Sequence, residues 1–250
     1  MRNYIRADVK RILQRSSHLF SMLLLFALYV IVLYLPNRGM QVTSVTLVAS
    51  ACGLLDWLAV FFGLFEMLAV FSEDFKVKTM QVAIGLGVTR NKVVICKLLE
   101  TIILMVLDCI VIVLLTLVTG SVLGASIAPA VMMDLVLALL IKFLLAQAVV
   151  VSITMIVMFM TQSTILSLFV YILTGLGTIY LLLSFMPMFG LTWLENLNLG
   201  RLTLSYNVGA FYSRLALGSF DFVSFLIVIA HLAAGIIATC KLFQKSELDF

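Results

Sequence analysis

Charge is scarce in this 250-residue chain: Asp, Glu, Lys and Arg make up 11% of it, against roughly 25% in ordinary globular proteins. Proline, with 3 residues, and histidine, with 2, are rarer still. No stretch reads G-x-x-x-x-G-K-[ST] or H-E-x-x-H, so the sequence writes neither a phosphate-binding loop nor a zinc-protease helix. Cys52, Cys96, Cys109 and Cys240 stand singly at wide spacing, which excludes a C-x-x-C motif and a small disulfide framework. His18 and His231 have no second ligand near them in sequence; they read as interfacial or packed imidazoles, and no metal is assigned. What fills the chain instead is 64% hydrophobic residues at a mean hydropathy of +1.23, the composition of an integral membrane protein.

Six apolar stretches follow one another, at 18–35, 45–71, 98–119, 131–159, 163–185 and 222–243. Each approaches the roughly 20 helical residues needed to cross a hydrocarbon core of about 30 Å. Runs such as 22–33 and 110–118 are apolar at successive positions, unlike the alternating strands of a membrane β-barrel. The expected fold is therefore an all-α membrane protein of six transmembrane helices forming one domain over 1–250. The largest piece outside the spans, 186–221, is too short for a self-sufficient soluble core, so no catalytic domain is appended. If ATP drives this protein, the nucleotide site belongs to another chain.

Basic residues in short loops set membrane orientation. Arg2, Arg6, Lys10, Arg11 and Arg15 precede span one, and Lys76, Lys78, Arg90, Lys92 and Lys97 follow span two. Lys241 and Lys245 end the chain, whereas the opposite side has only Arg38, Arg201 and Arg214. Both termini and the segment 72–97 are expected in the cytoplasm, which requires an even number of spans. A basic start before an apolar run also fits a cleavable signal peptide, but Pro36, Asn37 and Arg38 follow the run instead of a small-residue cleavage site, so span one is expected to remain.

Two pieces outside the bilayer are patterned. Within 1–17, a helix puts Ile5, Val9, Ile12 and Leu13 on one face with arginines and lysines along its flanks, the pattern of an interfacial helix whose basic side chains reach headgroups. The segment 72–97 is too long for a turn and reads as helix, break, helix. Glu73 and Asp74 sit at an N-terminal end, Thr79 to Ile84 continue, and Gly85 and Gly87 stop it. Thr89 then caps a second helix whose first turns carry Arg90, Lys92 and Lys97 into span three. A short rigid helix between two spans transmits force that a flexible loop absorbs.

With Glu73, Asp74, Thr79, Gly87, Thr89, Arg90 and Lys97 in this order, the segment resembles that of the type-2 ABC exporter permeases, in particular the small six-span bacterial transmembrane subunits. The family pattern runs acidic residue, Gly-Thr, apolar stretch, Gly, small residue, Arg, and Lys at the start of the third span. Lys78 stands here where the family has Gly before the Thr. The resemblance implies a coupling helix that rests on a separate ABC ATPase subunit. It also implies a second permease subunit, identical or homologous, and ATP with Mg bound by the ATPase, with no cofactor on this chain. The implied place is the bacterial cytoplasmic membrane, and the implied activity is export of a peptide, lipid-linked compound or other amphiphile, a range that includes antimicrobial-peptide export or immunity. No nucleic-acid partner is implied, and the subunit itself is not an enzyme.

The external stretch 186–221 carries Trp193, Leu194 and Leu197 at helical spacing, then Tyr206, Phe211 and Tyr212, with Gly200, Gly209 and Gly218 as breaks. Short re-entrant or surface helices are expected there. Asp56, Asp108 and Lys142 lie deep in spans, where ionised groups face a bundle interior, a water-filled route or a subunit interface. Glu66, Glu100 and Asp134 fall nearer span ends, within reach of water. An ion-coupled carrier or channel using Asp56, Asp108 and Lys142 is the alternative reading, and an intramembrane enzyme a weaker one. Gly120 and Gly124 match G-x-x-x-G, but at the outer end of span three, where helix dimerisation is not favoured.

Overall fold

The computed structural model of the chain describes residues 2–39, 42–76, 79–85, 87–185 and 199–245. Among them there is helix and no strand, the outcome expected where every backbone polar group must find its partner within its own segment. Helix α1 (Arg2–Leu13) precedes α2 (Ser16–Asn37) and α3 (Ser44–Lys76); the short α4 (Thr79–Gly85) leads to α5 (Arg90–Val122). A continuous helical run, α6 (Pro129–Thr161), contains a π-helical stretch at Leu139–Leu145. Then come α7 (Thr164–Gly175), α8 (Thr178–Phe185), a 3-10 turn at Leu199–Leu202, α9 (Leu204–Ala216) and α10 (Phe222–Lys245).

Among the described residues five helices, α2, α3, α5, α6 and α10, are long and apolar enough to cross a membrane. The stretch 163–185, expected as one span, is two helices inclined at 56°, so there are six crossings if the bent pair counts as one. The bend falls at T-G-L-G-T. Gly177 has φ +67°, a conformation that side chains oppose, and a Cβ at Gly175 would stand 2.9 Å from Val60. The spans also outrun their apolar cores: α5 begins at Arg90, eight residues before the apolar stretch at 98, because a helix does not end where hydropathy falls.

Between lipid-facing helices apolar burial drives little association, so close packing and hydrogen bonds hold the bundle. Tyr29 on α2 and Thr116 on α5, both fully buried, share a 2.7 Å hydrogen bond. Tyr171 on α7 donates to Gln147 Oε1 on α6 at 2.6 Å. Gly235 lets α10 lie against α6, where an added Cβ would stand 2.9 Å from the Ser152 backbone carbon. Gly120 works the same way inside the chain, since a Cβ there would meet Leu47 and Ile127 at 3.0 Å.

Both described ends lie at one end of the bundle, here termed the base. The α1 residue Asp8 reaches Lys97 near the start of α5, and Arg90 reaches the last turn of α10. Phe159 at the end of α6 stacks on Phe243 with ring centroids 4.5 Å apart, so α6 also finishes at the base.

Candidate coupling site and intramembrane charges

The connection between α3 and α5 is a built corner. Ala83, Ile84 and Gly85 close α4; Gly87 N–H donates to Ile84 O at 2.9 Å and Val88 N–H to Ala83 O at 3.1 Å, with Gly87 at φ +93°. This is the paired-bond helix stop in which a glycine takes the left-handed position. Val88 and Ile84 pack on the core, while Val82, Gly85, Gly87, Thr89 and Lys92 are exposed. Thr89 has the extended backbone of an N-cap (φ −67°, ψ 146°) but its side chain makes no capping bond, contrary to expectation. Val77 and Lys78 lie outside the described residues, as do the side chains of Glu73 and Thr79.

Glu73 and Asp74, expected at the N-terminal end of a short helix, lie in the last turn of α3, because that helix continues past its apolar stretch, and Asp74 and Lys97, expected at the ATPase contact, are internal. Lys97 is 0% exposed and Asp74 1%. Lys97 Nζ donates to Asp8 Oδ2 at 2.7 Å and to Glu100 Oε2 at 2.9 Å, and pairs with Asp74. Arg11 Nη2 bridges Asp8 and Asp74 at 3.0 Å each. Two cations thus bind three carboxylates, and α1 is fastened by charge to α3 and α5. Burial lowers the proton affinity of Arg11, but its hydrogen bond to Asp74 and the charge of Asp8 more than restore it, leaving it above the ordinary guanidinium value. Burial likewise pushes the Tyr4 phenol up to about 12, with the Lys97 ammonium working against the rise.

The α1 stripe accordingly packs on protein. Ile12 is buried and Val9 lies against the core, whereas Leu13, assigned to the same stripe, is exposed. Arg11 was expected to reach headgroups and is instead engaged with Asp8 and Asp74. Arg90 also turns inward: Nη1 donates to the carbonyls of Phe243 at 2.7 Å and Gln244 at 3.0 Å, and the guanidinium lies 5.6 Å from the Phe243 ring centroid. Those carbonyls belong to the last turn of α10, where a helix lacks internal donors. Gln244 Nε2 adds a 3.0 Å bond to Asn91. The corner is therefore braced by the first helix on one side and the last on the other.

The deep charges do not form one set. Lys142, in the π-helical stretch of α6, donates to Asp56 Oδ1 at 2.5 Å and stands 4.3 Å from the Tyr212 ring centroid. Tyr212 belongs to α9, so this helix reaches about 20 Å along α6 from Pro129, as a re-entrant element does. Gly209, expected to break this stretch, is inside the helix; Gly218, at φ +76°, does end it. Phe211 is buried against Phe220 and Phe225, Tyr206 lies beside Tyr180, and Trp193, Leu194 and Leu197 fall outside the described residues.

Two cavities flank the bend between α7 and α8. One, of about 180 Å³, meets Asp56, Lys142, Gln147, Thr174 and Ser205. The other, of about 210 Å³, is lined mainly by apolar groups with Tyr180 and His231 and shares Thr174, Leu204 and Ser205 with the first. A pocket of mixed lining with a charged pair and an apolar one thus adjoin at a broken helix beside a π-helical stretch, an arrangement that suits an amphiphile.

Asp108 pairs elsewhere. It lies beside Glu66 on α3, about 15 Å along that helix from Asp56. Glu66 and Glu100 do not reach water, as their positions near span ends suggested; their exposures are 1% and 0%. Asp134 is exposed as expected. His18 is more than a packed imidazole, since its Nε2 stands 3.7 Å from Glu66 Oε1. Asp8, Glu66, Glu100 and His18 are the residues that sequence reasoning missed as interaction partners, and local signals were left by two contacts, Asp8 with Arg11 and Lys97 with Glu100, each at i, i+3. No family model and no curated protein matches this chain.

Proposed function

We propose that the chain is the membrane-spanning subunit of an ATP-driven exporter of the type-2 ABC class. It works in a bacterial cytoplasmic membrane with a separate ATPase subunit and a second permease subunit, identical or homologous. The base of the bundle faces the cytoplasm, in line with the basic residues gathered there. The observation that supports this reading best is the braced corner at α4. A helix with an exposed tip is tied through Asp74, Lys97 and Asp8 to α1 and through Arg90 to α10. Such a tip passes displacement into several spans at once.

In this reading, ATP and Mg reside on the partner, and the permease contributes no hydrolytic step. The contact with the ATPase is made by Val82, Gly85, Gly87 and Thr89, which are exposed. Asp74, Lys97 and Arg90 act behind them as positioning residues. The transported amphiphile passes by the adjoining cavities at the α7–α8 bend, with its polar end towards Lys142 and Asp56.

The test is affinity purification of the tagged full chain from native membranes in mild detergent, with mass spectrometry of stoichiometric partners and an ATPase assay on the eluate. A soluble ATP-binding subunit is expected to co-purify. Val82→Asp should release it while the chain itself elutes at its normal size. Absence of any such subunit, under conditions that keep other membrane complexes intact, overturns the reading.

A further inference from the structure

Three helices meet at Glu66, Asp108 and His18. Glu66 on α3 and Asp108 on α5 are 1% and 5% exposed, and His18 on α2 is 7% exposed. The two carboxyl groups act directly on one another, and Glu66 Oε2 and Asp108 Oδ2 have no hydrogen-bond partner. Side by side and without a donor, they can satisfy one another only through a proton, because an ionised oxygen only accepts. A second negative charge at this depth would stand uncompensated against its neighbour. Glu66 Oε1 faces His18, whose Nε2 is 3.7 Å away, and a neutral imidazole at that place can accept a proton.

The cluster is reached from outside. A notch of about 260 Å³ beside it is lined by Arg15, Ser17, His18, Ser21, Phe65 and Ser72, so His18 forms both its wall and one edge of the cluster. The groups that act on the site come from every adjoining element. From the α1–α2 junction Arg15 stands with His18 in the wall of the notch, and next to Asp108 on α5 is Cys109. Glu100 and Lys97 are about 12 Å or more towards the base on the same helix and are bonded to one another.

We propose that Glu66, Asp108 and His18 form a proton-binding site, with His18 passing the proton between the notch and the carboxyl pair. The proton held between Glu66 and Asp108 joins α3 to α5. Its departure leaves two carboxylates in contact, which drives the helices apart while His18, taking the proton, stays with Glu66. Bound and released states thus differ in how α2, α3 and α5 pack. This site does not depend on the exporter reading, since a proton can be bound by the chain alone.

The test is infrared spectroscopy of the purified full chain in lipid nanodiscs during a pH titration, with carboxyl-labelled aspartate or glutamate to assign bands. At neutral pH a protonated-carboxyl stretch is expected that moves with the label and is lost on alkalinisation. The isosteric double variant Glu66→Gln/Asp108→Asn, which keeps side-chain volume and a hydrogen bond, should lack the band. His18→Gln should displace the midpoint of its loss by about one pH unit or more. The proposal is overturned if the wild-type band is missing, if it survives in the double variant, or if His18→Gln leaves the midpoint in place. Because no ATPase takes part, failure here is distinct from failure of the purification experiment.

Discussion

Replacing Lys97 by Met should loosen the base of the bundle more than any surface change. The methionine keeps most of the aliphatic stem, so the loss is confined to the ammonium. Asp8 and Asp74 then keep the bridge from Arg11, while Glu100 loses its ammonium, and Asp74 and Glu100 are almost wholly buried. Removing one member of a buried ion pair costs about 3–5 kcal/mol, chiefly through the charge left behind. That corresponds to a roughly 100- to 4,000-fold fall in the folding equilibrium constant. Adding Glu100→Gln to Lys97→Met removes one stranded charge and should return about 1 kcal/mol or more, a coupling of the size found between groups in contact. Reversible denaturant titration in mixed micelles, followed by circular dichroism, gives both free energies. Hydrogen exchange in α1 shows where the loss falls and should rise throughout Arg2–Leu13. A Lys97→Met variant within about 0.5 kcal/mol of wild type, or strictly additive substitutions, would refute the idea that buried charge fastens α1.

Other consequences are as direct. Arg90→Ala removes two charge-assisted bonds to carbonyls at the end of α10 and should cost about 1.5–3 kcal/mol, with faster amide exchange confined to that end. Gly235→Val places a side chain where the Ser152 backbone already stands; a loss of about 1–3 kcal/mol and separation of α6 from α10, read by cross-linking yield, is expected. Asp221 caps α10 by accepting from Ser224 N–H at 3.1 Å and Ser224 Oγ–H at 3.0 Å, and the Ser224 N–H holds its carboxyl below the usual range. Since the folded value is the lower one, the cap's contribution is complete above about pH 3.9 and disappears as pH falls through the folded value. Amide exchange in the first turn of α10, corrected for intrinsic rates, should therefore become less protected on acidification, and in Asp221→Asn this dependence should vanish.

Different layers of this structure were legible in the sequence to different degrees, for physical reasons. Length and apolarity alone specify spans, so α2, α3, α5, α6 and α10 were readable. The bend at Gly175–Gly177 is invisible to hydropathy, which averages over it, although two glycines one residue apart marked the place. The α4 stop was readable because a left-handed position selects glycine locally. The ion cluster was not, because Asp8, Asp74 and Lys97 are brought together by tertiary packing, and a lysine near a span end looks the same in sequence whether it faces water or three carboxylates. Glu66 and Asp108 were separately visible as costly residues, but nothing local marks them as neighbours.

The π-helical stretch in α6 has a consequence for rotational phase. Each widened turn accommodates one residue beyond the α-helical count, which sets back by about 100° the direction in which later side chains point. The Pro129–Ala138 portion therefore lies along α3, while the Ala146–Thr161 portion turns towards α7 and α10. One continuous helix thus serves two different sets of neighbours. Lys142 stands at the changeover, so a single-residue deletion in Leu139–Leu145 would exchange the partners of half the helix and leave its length almost unchanged.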